Sequence, residues 1–156
     1  MWAQPQLIDE LKVFTRYLGT WEANFPAAKG KPAMQDVARW ERALNGTAVR
    51  TLLSINKGMY GGESLIFWDN SKASLVFFYF TTAGFYTQGT MEVISPTEFV
   101  AYEEVHNSKE GITKVKSTSK FANGEFLVST QYLKNGSWTT ATTRRYRASQ
   151  KKVQFK

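Results

Sequence analysis

The sequence predicts an all-β fold, a single antiparallel up-and-down β-barrel of about ten strands with an N-terminal capping helix. Three observations carry this prediction. Segments with strand-like alternation follow one another at short intervals almost to the end of the chain. Asn-Gly pairs, which favour two-residue hairpins, stand at residues 45–46, 123–124 and 135–136. Aromatic residues make up 15% of the 156 residues, and aromatics favour strands and fill wide interiors.

One domain is expected to span residues 1–156, because no linker, tandem repeat or strand–helix–strand spacing divides the chain. Within it, the helix is expected over about residues 5–18 and the barrel over about residues 20–147. A polar and basic tail, residues 150–156, is expected to be frayed. A meander of this kind loses the exposed edges of its sheet when it closes into a barrel.

The helix is predicted from apolar spacing. Four apolar residues recur at intervals that place them on one face of an α-helix: Leu7, Leu11, Phe14 and Leu18. Pro5 suits a first helical position, and Gly19 suits a left-handed cap at the end. We expect this helix to lie over one end of the barrel as a lid or plug.

The strands follow from alternation and from the turn residues between them. Asp69–Lys72 is a turn by composition, and Ser95 with Pro96 makes another. Three glycines make Lys57–Gly62 a loop or bulge. Ten strands are expected over residues 21–25, 34–44, 47–56, 63–68, 75–81, 86–94, 98–106, 112–121, 126–133 and 138–146.

Composition excludes several kinds of site. The chain has no cysteine and one histidine, so no disulfide, thiolate nucleophile, cysteine zinc site or multi-histidine metal site is expected, and no cofactor is predicted. The net charge of +7 is spread along the chain, so no nucleic-acid partner is expected. No apolar run is long enough for a transmembrane helix. The compartment stays open, cytoplasmic or periplasmic, and long aromatic strands leave a homodimer open.

The segment Leu18-Gly19-Thr20-Trp21-Glu22, with three arginines near the end of the chain, carries a family resemblance. It resembles the lipocalin-like (calycin) superfamily, in which an arginine of the last strand packs over the tryptophan of the first. The resemblance therefore implies a structural closure by Gly19, Trp21 and one of Arg144, Arg145 and Arg147, of which we favour Arg145 through a cation–π contact. It also implies a cup for small apolar molecules.

A second block is similar to small bacterial lipocalin-like domains of unassigned function. Residues 63–70 end in an aromatic-Asp pair, and residues 75–90 form an aromatic strand, a Gly turn and a Gly-Thr pair. The ten-strand count is closer to fatty-acid-binding and nitrobindin-like barrels. However, the Pro26–Pro32 loop is too short for the helix pair of the former. The only histidine, His106, precedes the last strands, so the haem ligand of the latter is not expected.

The favoured function is non-covalent binding of a small apolar or amphipathic ligand inside the barrel. Five residues are predicted to bind it: Trp40, Arg42, Phe77, Tyr79 and Phe85. Arg42 is expected to meet a ligand carboxylate, as in fatty-acid carriers, or to pair with Glu41 or Glu63 across the sheet.

Two other functions stay open. Tyr102, Glu104 and His106 share one strand face, so they could perform acid–base work in an isomerase, cyclase or decarboxylase if they point inward. Alternatively they form an exposed polar face. The third function is a basic interaction module with a filled core. The direction of residues 102–106 distinguishes carrier from enzyme.

Overall fold

Ten strands form one closed antiparallel sheet in the computed structural model, which describes residues 6–25, 30 and 32–156. The predicted fold class is thereby confirmed. With one short additional strand, β10, the strands are β1 (Gly19–Phe25), β2 (Met34–Ala43), β3 (Ala48–Ile55), β4 (Tyr60–Asp69), β5 (Ser74–Thr81), β6 (Tyr86–Ser95), β7 (Glu98–Glu104), β8 (Ile112–Ala122), β9 (Glu125–Lys134), β10 (Ser137–Trp138) and β11 (Thr142–Ala148).

The strands pair in chain order from β1 to β9, and β11 then closes the circle. On one side β11 pairs with β9, where Arg144 lies opposite Val128. On the other side β11 pairs with β1, where Trp21 lies opposite Ala148. The strand predicted over residues 138–146 is divided in two. Trp138 folds back on β9 in β10, and the closing strand begins only at Thr142.

The N-terminal helix is a 3₁₀ helix, Asp9–Tyr17, and not the α-helix predicted over residues 5–18; Pro5 lies outside the described residues. A 3₁₀ helix has three residues per turn, so residues three apart share a face. Leu11, Phe14 and Tyr17 follow this spacing and are fully buried. The predicted cap at Gly19 is also corrected, since Gly19 opens β1 with φ +130°, a backbone angle that glycine tolerates.

The helix covers one end of the barrel, which we call the closed end, over a cluster of aromatic rings. The Tyr17 and Trp21 rings lie 4.8 Å and 5.0 Å from the Phe126 ring. Polar groups of the cluster are paired as well. The Trp21 indole N–H donates to the Tyr17 carbonyl at 2.7 Å, and the Tyr17 hydroxyl lies 3.0 Å from the Ser119 hydroxyl. Three barrel strands, β1, β8 and β9, and the helix thus share this part of the core.

The C-terminal tail is not frayed but lies against the outside of the barrel. Lys151 Nζ is 2.7 Å from a Glu22 carboxylate oxygen. The Gln154 N–H donates to the Ser54 hydroxyl at 3.0 Å, which buries Ser54 although it faces outward. The Phe155 ring lies over Gly61, where a Cβ would come within 2.9 Å of it. These contacts hold the tail against the outer faces of β1, β3 and β4.

Candidate functional site

The barrel interior contains two adjoining chambers. The deep chamber has a volume of about 210 Å³ and lies above the aromatic cluster of the closed end. The outer chamber has a volume of about 570 Å³ and extends to the opposite end, which we call the mouth. The mouth is bordered by the turns at residues 56–59, 82–85 and 105–111. Tyr79, Glu103 and Ser117 line both chambers and mark the step between them.

The deep chamber is mostly apolar. Its apolar lining comes from six strands: Trp40, Ile66, Phe77, Met91, Phe99 and Val128. The Phe14 ring lies 6.0 Å from the Trp40 ring and 5.0 Å from the Phe99 ring, so the helix supports this lining from below. A few hydroxyl groups, among them Ser64 and Ser119, interrupt the apolar wall. An apolar space with sparse polar groups is typical of small-molecule sites.

Two glycines make room for the aromatic side chains of β5. A Cβ on Gly62 would collide with the Tyr79 ring, and a Cβ on Gly89 would collide with the Phe77 ring. Both glycines lie in strands that pair with β5. They therefore let the two rings lie close to the barrel wall, which keeps the chambers open between them.

One wall of the outer chamber carries a chain of three polar residues. The Arg144 guanidinium donates to the Tyr146 hydroxyl at 3.3 Å, and this hydroxyl donates to Asp36 Oδ2 at 2.7 Å. Asp36 is only 3% exposed, and its other oxygen, Oδ1, has no hydrogen-bond partner among the described residues. Burial raises the pKa of Asp36, and burial together with the nearby Asp36 charge raises the pKa of Tyr146.

Another part of the wall carries a carboxyl group and two phenols. Glu103 accepts a hydrogen bond from the Thr87 hydroxyl at 2.5 Å. The hydroxyls of Tyr60 and Tyr79 lie 2.9 Å apart. Burial raises the pKa of Glu103, although the Thr87 hydrogen bond opposes this shift. Burial, followed by the hydrogen bond with Tyr60, raises the pKa of Tyr79, so the Tyr79 phenol is neutral at physiological pH.

Four of the five predicted ligand-binding residues line the chambers. Trp40 and Phe77 line the deep chamber, Phe85 lines the outer one, and Tyr79 lines both. Phe85 is half-exposed at the mouth. The structure therefore brings these aromatic side chains into one connected space.

Arg42 is not part of that space. Its guanidinium donates to the Gln6 carbonyl at 3.1 Å and lies beside Gly46, at the closed end. Neither predicted partner binds it, because Glu41 and Glu63 both contact Arg50, at 3.4 Å and 3.0 Å. Arg42 thus ties the N-terminal segment to the β2–β3 turn.

The predicted contact between Trp21 and Arg145 is not formed. Successive residues of a strand face opposite sides of a sheet, and Arg145 points outward, where its guanidinium lies 3.0 Å from Glu125. Arg147 also points outward, toward Glu22. Of the three arginines of β11, Arg144 is the one that points inward, and its guanidinium lies 4.6 Å from the centre of the Phe25 ring. Trp21 is held by Tyr17 and by the aromatic cluster.

The predicted acid–base group is divided between the two sides of the sheet. Tyr102 and Glu104 face outward, and Glu104 lies 3.6 Å from Lys114. His106 follows β7 and lines the rim of the outer chamber. The residue of β7 that faces the interior is Glu103, one position away from Glu104. Because neighbouring residues of a strand face opposite sides of the sheet, Glu103 and not Glu104 is the carboxyl group that faces the interior.

Sequence reasoning missed three interior groups, Asp36, Glu103 and Arg144, as site residues. A usable signal existed, because Phe99 and Ala101 are apolar and alternate with Glu103. Likewise, Tyr146 alternates with Arg144. Fixing one buried apolar residue in each strand fixes the direction of all the others.

Over the described ranges, no three histidine or acidic residues lie close enough to hold a metal ion. None of the helices in this part of the chain has the length and apolar character that crossing a bilayer requires. No family model matches the chain, and no curated protein matches its sequence.

Proposed function

We propose that the barrel binds one small amphipathic molecule non-covalently, with an apolar ring in the deep chamber and an anionic group toward Arg144. The observation that carries this proposal is the pair of adjoining chambers, aromatic at depth and with an inward cation near the mouth. Burial of apolar ligand surface contributes about 25 cal/mol per Å² before the losses of association. A planar ring suits the flat faces of Trp40, Phe77 and Phe99.

Arg144 is the group that supports an anionic ligand. A guanidinium has five N–H donors, and within the described chain its one protein hydrogen bond is to Tyr146. The remaining donors suit a carboxylate, which two parallel N–H groups can bind together. Stacking on Phe25 holds the guanidinium at the chamber wall. Arg144 is therefore proposed for the role that the sequence suggested for Arg42, the binding of a ligand carboxylate.

Replacing Arg144 by methionine should weaken binding of 2-naphthoate, a bicyclic aromatic acid, by about tenfold to a hundredfold. The loss corresponds to one charge-assisted interaction of about 1.5–3 kcal/mol. Isothermal titration calorimetry measures it. Arg145→Met is the matched control, since Arg145 is adjacent in sequence but faces solvent, and it should bind 2-naphthoate as the unmodified protein does. Equal affinities in both variants would contradict a role for Arg144, and no binding to the unmodified protein would contradict the proposed function.

We also infer kinship with lipocalin-like domains, including the small bacterial ones. The support is the closed ten-stranded barrel together with Gly19 and Trp21 at its closed end. Catalysis by Tyr102, Glu104 and His106 is not proposed, because two of the three lie outside the chambers.

A further inference from the structure

A second cluster of polar side chains faces the interior, on a different part of the barrel wall from Arg144. Tyr60, Tyr79, Thr87 and Glu103 lie on four consecutive strands, β4 to β7. Arg144 lies on β11 and Tyr79 on β5. In the closed ten-stranded sheet these two strands are five positions apart, so Tyr79 lies on the wall opposite Arg144. A ligand that reaches Arg144 with one end therefore presents its other parts to this group.

Glu103 has an acceptor left for a ligand. One carboxylate oxygen, Oε1, accepts the Thr87 hydrogen bond, and the described residues supply no donor to the other. Glu103 lines both chambers, so a ligand in either chamber lies near its carboxylate. A carboxylate that is removed from water gains most from a hydrogen bond donated to its remaining oxygen.

The tyrosine pair has a donor left for a ligand. When two hydroxyls share one hydrogen bond, one proton lies between them and the other proton stays available. Tyr79 lines both chambers beside Glu103, and Tyr60 lines the outer one. One free acceptor and one free donor therefore occur together on this wall.

We propose that Glu103 and the Tyr60–Tyr79 pair form a subsite for a hydroxyl group, and that the ligand is a hydroxylated aromatic or alicyclic acid. A hydroxyl donates to Glu103 and accepts from a tyrosine at the same time. An ether or carbonyl would leave the Glu103 oxygen without a donor, and an ammonium group would leave the tyrosine proton without an acceptor. This inference rests on the proposed function, because it concerns a ligand already held in the chambers.

Three related acids test the subsite: 2-naphthoate, 6-hydroxy-2-naphthoate and 6-methoxy-2-naphthoate. Titration calorimetry near pH 8 keeps the phenols of the probe and of Tyr79 protonated and favours ionised Glu103, whose pKa is raised by burial. The unmodified protein should bind the hydroxy acid about tenfold or more tightly than the other two. In Glu103→Leu this ratio should fall to about one. In Glu103→Gln, which keeps the shape, it should take an intermediate value. Glu104→Leu, on the outer face, should keep the full ratio.

The outcomes separate the subsite from the site as a whole. If the unmodified protein binds all three acids equally, the hydroxyl subsite is overturned while ligand binding stands. If the methoxy acid binds as tightly as the hydroxy acid, the ligand hydroxyl does not need to donate a hydrogen bond to Glu103, and the assignment is overturned as well. If none of the three binds, the proposed function itself fails.

Discussion

Phe14→Ala should lower the free energy of unfolding by about 3–5 kcal/mol, the range for loss of a fully buried phenylalanine. Phe14 has no exposed surface, and its ring contacts both Trp40 and Phe99. Removing it leaves a cavity between the helix and the floor of the deep chamber, which the rigid strands cannot close. Equilibrium unfolding in urea, followed by tryptophan fluorescence, measures the loss.

Phe85→Ala is the matched control for that experiment. Phe85 is 51% exposed at the mouth, so its removal should cost less than about 1 kcal/mol. Similar losses in the two variants would mean that the helix is not packed into the core, and would contradict the closed end described above.

Ala101→Trp should reduce the affinity for 2-naphthoate by about a hundredfold or more, because the indole occupies the space that the ligand ring needs. The Ala101 side chain lines the deep chamber between Met91 and Ser117 in the neighbouring strands. The chamber holds only about 210 Å³, so a bicyclic side chain takes most of it. Calorimetric titration measures the loss, and the circular dichroism spectrum checks that the barrel still forms.

Tyr102→Trp provides the comparison, since it introduces the same side chain one residue later on the outer face. Its affinity for 2-naphthoate should remain that of the unmodified protein. Full affinity in folded Ala101→Trp would show that the ligand binds outside the deep chamber.

The fold was predictable because its signals are local. Asn-Gly turns, period-two alternation and aromatic strands each act over a few residues, and all of them favour a meander. The helix type was less predictable. Leu11 and Phe14 fit both an α-helical and a 3₁₀ face, and only the burial of Tyr17 in place of Leu18 distinguishes the two. Likewise, the position of the tail depends on a contact with Ser54, far away in sequence.

The candidate site was only half predictable, for a reason that lies in strand geometry. Alternation tells which residues share a face but not which face is inside. On β5, Phe77 and Tyr79 were assigned to the interior, where they lie. On β7 and β11 the neighbouring residue faces inward, so Glu103 and Arg144 replace Glu104 and Arg145. The barrel closure that fixes these phases involves residues more than a hundred positions apart, such as Trp21 and Ala148.

The position of the ligand ring decides whether binding occurs inside the barrel. Nuclear Overhauser contacts between the ring protons of bound 2-naphthoate and protein methyl groups measure that position. We expect contacts to the methyl groups of Met91 and Ala101, which line the deep chamber. Contacts to Leu44 or Ile94, which are exposed on the outside, and none to Met91 or Ala101, would contradict binding inside the barrel.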